Sequence, residues 1–123
     1  MILVDTSVWI DHLRGTEAHL SELLNEGRVR MHPHVLGEIA LGSLKNRTVV
    51  LETMRNLPSV IVAADDEVFR FINQHTLFSL GIGYTDAHLL AATKLSPGTR
   101  LWTHDRRLGS ATARLGLAYE LPH

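Results

Sequence analysis

The first apolar run of the chain, Ile2-Leu3-Val4, is unbroken and stops on Asp5, with Thr6-Ser7-Val8-Trp9-Ile10 directly after it. Continuous aliphatic side chains mark a parallel strand buried on both faces, so this run predicts a central strand. Residues 7–14 read as a short helix closed by Gly15. Thr16-Glu17 restarts a helix in which Leu20, Leu23 and Leu24 fall at helical spacing, ending near Gly27. Val29 and Met31 then alternate with Arg28, Arg30 and His32 in a brief strand whose polar side is expected to face water, and Pro33 terminates it. Over 34–42 a helix is predicted with Val35, Leu36, Ile39 and Ala40 on one apolar face and Glu38 near the edge of that stripe.

The second half repeats the alternation. A polar corner at Lys45, Asn46 and Arg47 leads into a helix over 48–57, ended by Pro58. Val60-Ile61-Val62 reads as a fully apolar strand, and Asp65-Asp66-Glu67 opens the next helix with acids at the positive end of its dipole, a capping role. That helix runs to about Gln74, a loop covers 76–83, and Tyr84-Thr85-Asp86 begins the most apolar helix, 87–94. After the Pro97-Gly98 turn, 100–103 reads as a strand with His104-Asp105 at its carboxyl end. A helix over 106–115 stops at Gly116, and 117–121 is a final strand candidate. Strand and helix alternate throughout, which argues for the α/β class: a parallel sheet with helices on both faces.

Composition narrows this picture without redirecting it. The 123 residues make one domain, 1–123, the expected unit. A hydrophobic fraction of 45% and a charged fraction of 20% are those of an ordinary globular protein. No apolar run approaches the roughly 20 residues a membrane span needs, and the chain starts directly in a strand, so a cytoplasmic protein without membrane contact is expected. With no cysteine there is neither a thiolate nucleophile nor a sulfur ligand, and any metal must be held by oxygen or imidazole. The formal net charge of −1 does not steer the molecule toward polyanions, so a nucleic-acid partner would require a local basic patch or bound cations.

Four acids draw attention. Asp5 and Asp105 end parallel strands and therefore project from the same carboxyl edge, where open α/β sheets bind ligands. Asp86 begins a helix straight after a glycine-containing loop, and Glu38 borders an aliphatic stripe. Singly, Asp5, Thr6 or Ser7 reads as a helix cap, as do Asp86 and Asp105, and Glu38 reads as a solvated helix residue. Jointly, these four are the ones among thirteen acids that lie in unusually apolar settings. Two unit charges about 5 Å apart repel by roughly 3 kcal/mol at an effective dielectric near 20, so such a cluster requires protons or a hard cation. Oxygen-only donors point to Mg²⁺ or Mn²⁺, which can acidify water and stabilise the leaving oxygen of a phosphodiester. Eight histidines raise zinc as a rival, through His32-Pro33-His34 and His104, but there is no HExxH pair and no cysteine to support it. Ser7 lacks the G-x-S-x-G elbow of an acyl-transfer nucleophile, and Gly81-x-Gly83 is too short for a phosphate loop.

ILVDTSVWIDHL at the start, HVLGEIALG around Glu38, GIGYTDAHLLAAT around Asp86 and LWTHDRRL around Asp105 together resemble a PIN domain, more narrowly the VapC toxins of bacterial type II toxin–antitoxin pairs. The resemblance spans the chain in order. It implies a three-layer α/β/α sandwich and a Mg²⁺-dependent endoribonuclease. Asp5, Glu38, Asp86 and Asp105 match the family's acidic quartet, and Thr6 and Thr103 match positions whose hydroxyls line the site. It further implies a homodimer neutralised by a VapB-type antitoxin laid across the active-site groove. On this reading Asp5, Asp86 and Asp105 are cation ligands, and Glu38 serves a second ion or accepts a proton from water. Arg106, Arg107, Lys45 and Arg47 are candidates for RNA phosphate contacts, and His104 has no assigned role. A binding or regulatory module on the same fold is the alternative, against which an intact quartet argues.

Overall fold

In a computed structural model that describes residues 1–122, Ile2–Val4 (β1) is the middle strand of a three-stranded parallel sheet. Val29–Arg30 (β2) lies on one side of it and Arg100–Trp102 (β3) on the other. All three residues of β1 are buried, as a strand covered on both faces demands. The chain passes from β1 to β2 on one side and reaches β3 on the other. The crevice above the β1–β3 pair is therefore the topological switch point at which such sheets bind ligands.

Among the described residues seven helices cover the sheet in a three-layer α/β/α arrangement: Thr6–Leu13 (α1), His19–Asn25 (α2), Pro33–Ala40 (α3), Arg47–Arg55 (α4), Asp65–Gln74 (α5), Tyr84–Leu95 (α6) and Arg106–Arg114 (α7). α1 packs on α2 and α3, α3 on α4, and α5 on α6. The apolar character of α6 has its reason in position: it packs on β3 as well as α5, and Ala87 through Thr93 are all buried. Gly15 ends α1 with a φ of +83°, a left-handed conformation that costs glycine little.

Three expectations change at the sheet's margins. Residues 60–62 form no strand: a single parallel bridge joins Met31 to Ser59, and only Val60 of the apolar triplet is buried. Beyond it the next donor on the β2 side would be Pro33, which has no N–H, and the outward N–H of Ile61 donates to Ser96 Oγ at 2.9 Å. At the opposite edge 117–121 likewise contributes one bridge, Leu101 to Ala118. The polar side of the second strand does not all face water either, because His32 is completely buried.

His32 caps α3: its Nδ1 accepts the backbone N–H of His34 at 3.0 Å, which fixes the ring hydrogen on Nε2. Among the described residues that Nε2 is buried without a partner, and the rings of His34 and His88 lie 5.1 and 6.0 Å away. Burial, followed by the neighbouring charges of His34 and His88, lowers the pKa of His32 from 6.5 to about 4. Between these values the unfolded chain takes up a proton that the folded one refuses. Stability therefore falls as the pH drops from 6.5 toward 4, by up to about 3 kcal/mol from this residue. Urea unfolding midpoints across that range, read beside an NMR titration of the ring protons, test this. A His32 ring half-protonated near pH 6.5 would contradict it.

Candidate active site

Asp5 leaves the sheet in register with its neighbour: its backbone N–H donates to Trp102 O at 2.9 Å, one step past the Val4–Trp102 pair. Its carbonyl starts α1 by accepting from Val8 and Trp9, but its carboxylate makes no cap bond, so the capping reading of Asp5 does not hold. The side chain instead turns into the crevice. Oδ2 accepts the hydroxyls of Ser7 and Thr103, both at 2.7 Å. Each hydroxyl has one proton, and both protons go to Asp5. Their lone pairs in turn accept the backbone N–H groups of His104 (Ser7 Oγ, 3.0 Å) and Asp105 (Thr103 Oγ1, 3.0 Å). With both protons committed, the 3.3 Å between the two hydroxyl oxygens is proximity and not a further bond. Among the described residues Oδ1 of Asp5 accepts nothing.

Asp105 and Asp86 do cap, and each does so with a single oxygen. Asp105 Oδ1 accepts from Leu108 N at 2.8 Å at the start of α7, and Asp86 Oδ2 reaches back to Gly83 N at 2.9 Å at the start of α6. Glu38 lies on the exposed side of α3, where Oε1 accepts the Thr6 hydroxyl at 3.0 Å and so links α3 to α1. The electrostatics tie the four acids together at Asp86. Burial raises its pKa most, the Gly83 N–H opposes this, and the charges of Asp5, Asp105 and Glu38 each raise it further. Carboxylates from four elements, the ends of β1 and β3, the start of α6 and α3, thus act on one another electrostatically at Asp86. Among the described residues, no three imidazole or carboxylate groups are drawn closely enough together to hold an ion as they stand. The donors are nevertheless all oxygen, the set a hard divalent cation prefers.

The cationic residues fall on two flanks. Arg106 and Arg107 open α7 beside Asp105, and the Arg107 side chain crosses Gly81, where a Cβ would stand 2.5 Å from Nη1. Lys45 is exposed on the other flank. With Arg14 it edges a groove of about 500 Å³ that includes Glu38 in its wall and Ile10, Ile39 and Leu44 among its lining. Arg47 is partly occupied, since its Nη2 donates to Ala40 O at 2.8 Å and closes the carboxyl end of α3.

Residues 2–113 match the family model of the PIN domain. The chain belongs to the PIN-domain family. Among its curated relatives is Ribonuclease VapC32 of Mycobacterium tuberculosis, 49% identical over 118 residues that cover 96% of this chain and 95% of the relative, in both strain CDC 1551 / Oshkosh and strain ATCC 25618 / H37Rv.

Within this PIN domain three residues near the acids were not singled out from sequence as part of the site: Ser7, Asp11 and Glu17. Ser7 and Asp11 stand four apart on α1 and therefore share a face, a signal the sequence contained once Asp5 is placed at the head of that helix. Glu17 lies between helices, where no periodicity points to it. The hydroxyl pair is open to test. Ser7→Ala or Thr103→Val removes one donor from the buried Asp5 oxygen and orphans a backbone N–H. Each should cost about 1–3 kcal/mol in urea unfolding, whereas Thr103→Ser should retain most of the stability. Losses below about 0.5 kcal/mol for both would show that the network does not constrain Asp5.

Proposed function

We propose that this chain is a divalent-metal-dependent endoribonuclease and the toxin of a type II toxin–antitoxin pair, hydrolysing RNA phosphodiester bonds with Asp5, Glu38, Asp86 and Asp105 as its acidic quartet. The observation that carries the reading is the convergence of charge on Asp86 from the other three acids, at the switch point of a parallel sheet. The likeness to a relative named as a VapC ribonuclease supports the same activity and a VapB-type antitoxin as partner. A homodimer and a cytoplasmic setting complete the reading. Among the described residues no helix is long and apolar enough to cross a membrane.

The residues fit a cation by their chemistry: hard oxygen donors only, mutual repulsion that a positive charge would relieve, and an Asp5 oxygen with no partner among the described residues. Asp5, Asp86 and Asp105 would hold Mg²⁺, or Mn²⁺ in its place. Bound there, the ion would supply Lewis acidity at a phosphate oxygen and acidify water. The protein's own work is positional. Ser7 and Thr103 fix the rotamer of Asp5, and the caps of α6 and α7 fix Asp86 and Asp105. Glu38, held through Oε1 by Thr6, presents its second oxygen as ligand for a further ion or as acceptor of the proton that the attacking water gives up. Arg106 and Arg107 on one flank, with Lys45 and Arg47 on the other, contact phosphates of the RNA strand.

Cleavage of structured RNAs by the purified protein should require Mg²⁺ or Mn²⁺ and cease with EDTA. Asp5→Asn should lower the rate more than about 100-fold, since even outer-shell changes at metal sites cost 10–100-fold. Equal cleavage by wild type and Asp5→Asn overturns the proposal.

Asp86 adds a stability test. Its folded pKa is raised, so its ionised form costs stability at neutral pH, and that cost fades as the pH falls through the folded value. Asp86→Asn keeps an acceptor for the Gly83 N–H but removes the charge. It should therefore raise the melting temperature of the metal-free protein by a few degrees and reduce the further rise that millimolar Mg²⁺ gives the wild type. A metal-free variant that melts below the wild type would contradict this.

A further inference from the structure

We infer that His104 is a positioning residue: held between Asp11 and Glu17, its imidazole fixes the turn that carries Asp105 and thereby sets the affinity of the site for a divalent cation. This rests on the reading of Asp105 as a cation ligand. The His104 Nδ1 bonds Asp11 Oδ2 on α1, and its Nε2 lies 3.0 Å from Glu17 Oε1 in the segment between α1 and α2. The ring also meets the buried Trp102 edge-on, with centroids 5.8 Å apart. One side chain thus joins the β3–α7 turn to α1, to the segment after α1 and to the core.

The turn needs such fastening because Asp105 itself is exposed and, among the described residues, its one side-chain bond runs forward into α7. Each residue of the turn is fixed differently. Thr103 donates to Asp5, and the His104 N–H donates to Ser7 while its ring bridges Asp11 and Glu17; Asp105 caps α7. Removing the hydroxyl contacts would free Asp5 and Asp105 together. Removing the imidazole releases the Asp105 side of the crevice alone. Asp11 and Glu17 each face the ring, Asp11 from α1 and Glu17 from the segment that follows it.

A double-mutant cycle on Mn²⁺ binding to the metal-free protein, followed by titration calorimetry, separates this role from a general loss of stability. His104→Ala should weaken Mn²⁺ binding about 10-fold, in the range found for groups that orient metal ligands. Asp105→Asn should weaken it at least as much, and the double variant no further than Asp105→Asn alone. Independent, multiplying effects in the double variant, or wild-type affinity for His104→Ala, overturn the inference while leaving the metal reading intact. Wild-type affinity for Asp105→Asn overturns both. Should His104→Ala fail to fold, Asp11→Asn combined with Glu17→Gln loosens the same ring without emptying its place, and the same non-additivity with Asp105→Asn is required.

Discussion

The arrangement of this molecule depends on one buried oxygen atom. Oδ2 of Asp5 receives two hydroxyl protons, one from the helix that follows its own strand and one from the end of the neighbouring strand. A carboxylate left alone at the end of a central strand would suffer the full cost of burial. Here the two donors offset that cost and at the same time determine which way the side chain turns. Because the same hydroxyls accept the backbone N–H groups of His104 and Asp105, the position of one acid constrains the segment that bears another. Four bonds about one oxygen and its two donors therefore couple β1, α1 and the β3–α7 turn.

The remaining acids show how a small fold combines local and global requirements. Asp86 and Asp105 each satisfy an orphan N–H at a helix start with one oxygen and leave the other oxygen to other uses. Capping is worth about 1 kcal/mol and anchors the rotamer, so a residue under electrostatic repulsion is held in place in spite of it. The elevated pKa of Asp86 records this: burial and three like charges raise it against the pull of a helix amide.

Much of this was legible in the chain itself. An unbroken aliphatic run that ends on an acid identifies a central parallel strand, and parallel strands place their terminal acids on one edge whatever the details of the loops. The α/β alternation likewise follows from local periodicity. Other features were not legible, for definite reasons. His32 alternates with apolar residues as a solvent-facing strand residue does, yet its ring caps the following helix from inside the core, a tertiary demand that period-two patterning does not encode. Val60-Ile61-Val62 has the composition of a strand, but the register sets Pro33, which has no N–H, where the next ladder donor would stand, and the outward amide of Ile61 goes to the Ser96 hydroxyl at α6's end. The partnership of Asp11, His104 and Glu17 joins residues more than eighty positions apart through a turn and an interhelical segment, where neither spacing nor composition carries a signal.

The short margins of the sheet have a meaning of their own. Each outer segment contributes a single bridge and then leaves: at one side Ile61 gives its amide to Ser96, at the other the chain departs soon after Ala118. Exposed edge strands are templates on which other chains polymerise, and the aliphatic Ile61 and Val62, both substantially exposed, would make a hazardous one if they ran on as an extended ribbon. Withdrawing the backbone from the ladder after one residue leaves a neighbouring molecule almost nothing to extend, so this fold tolerates greasy margins without inviting cross-β assembly.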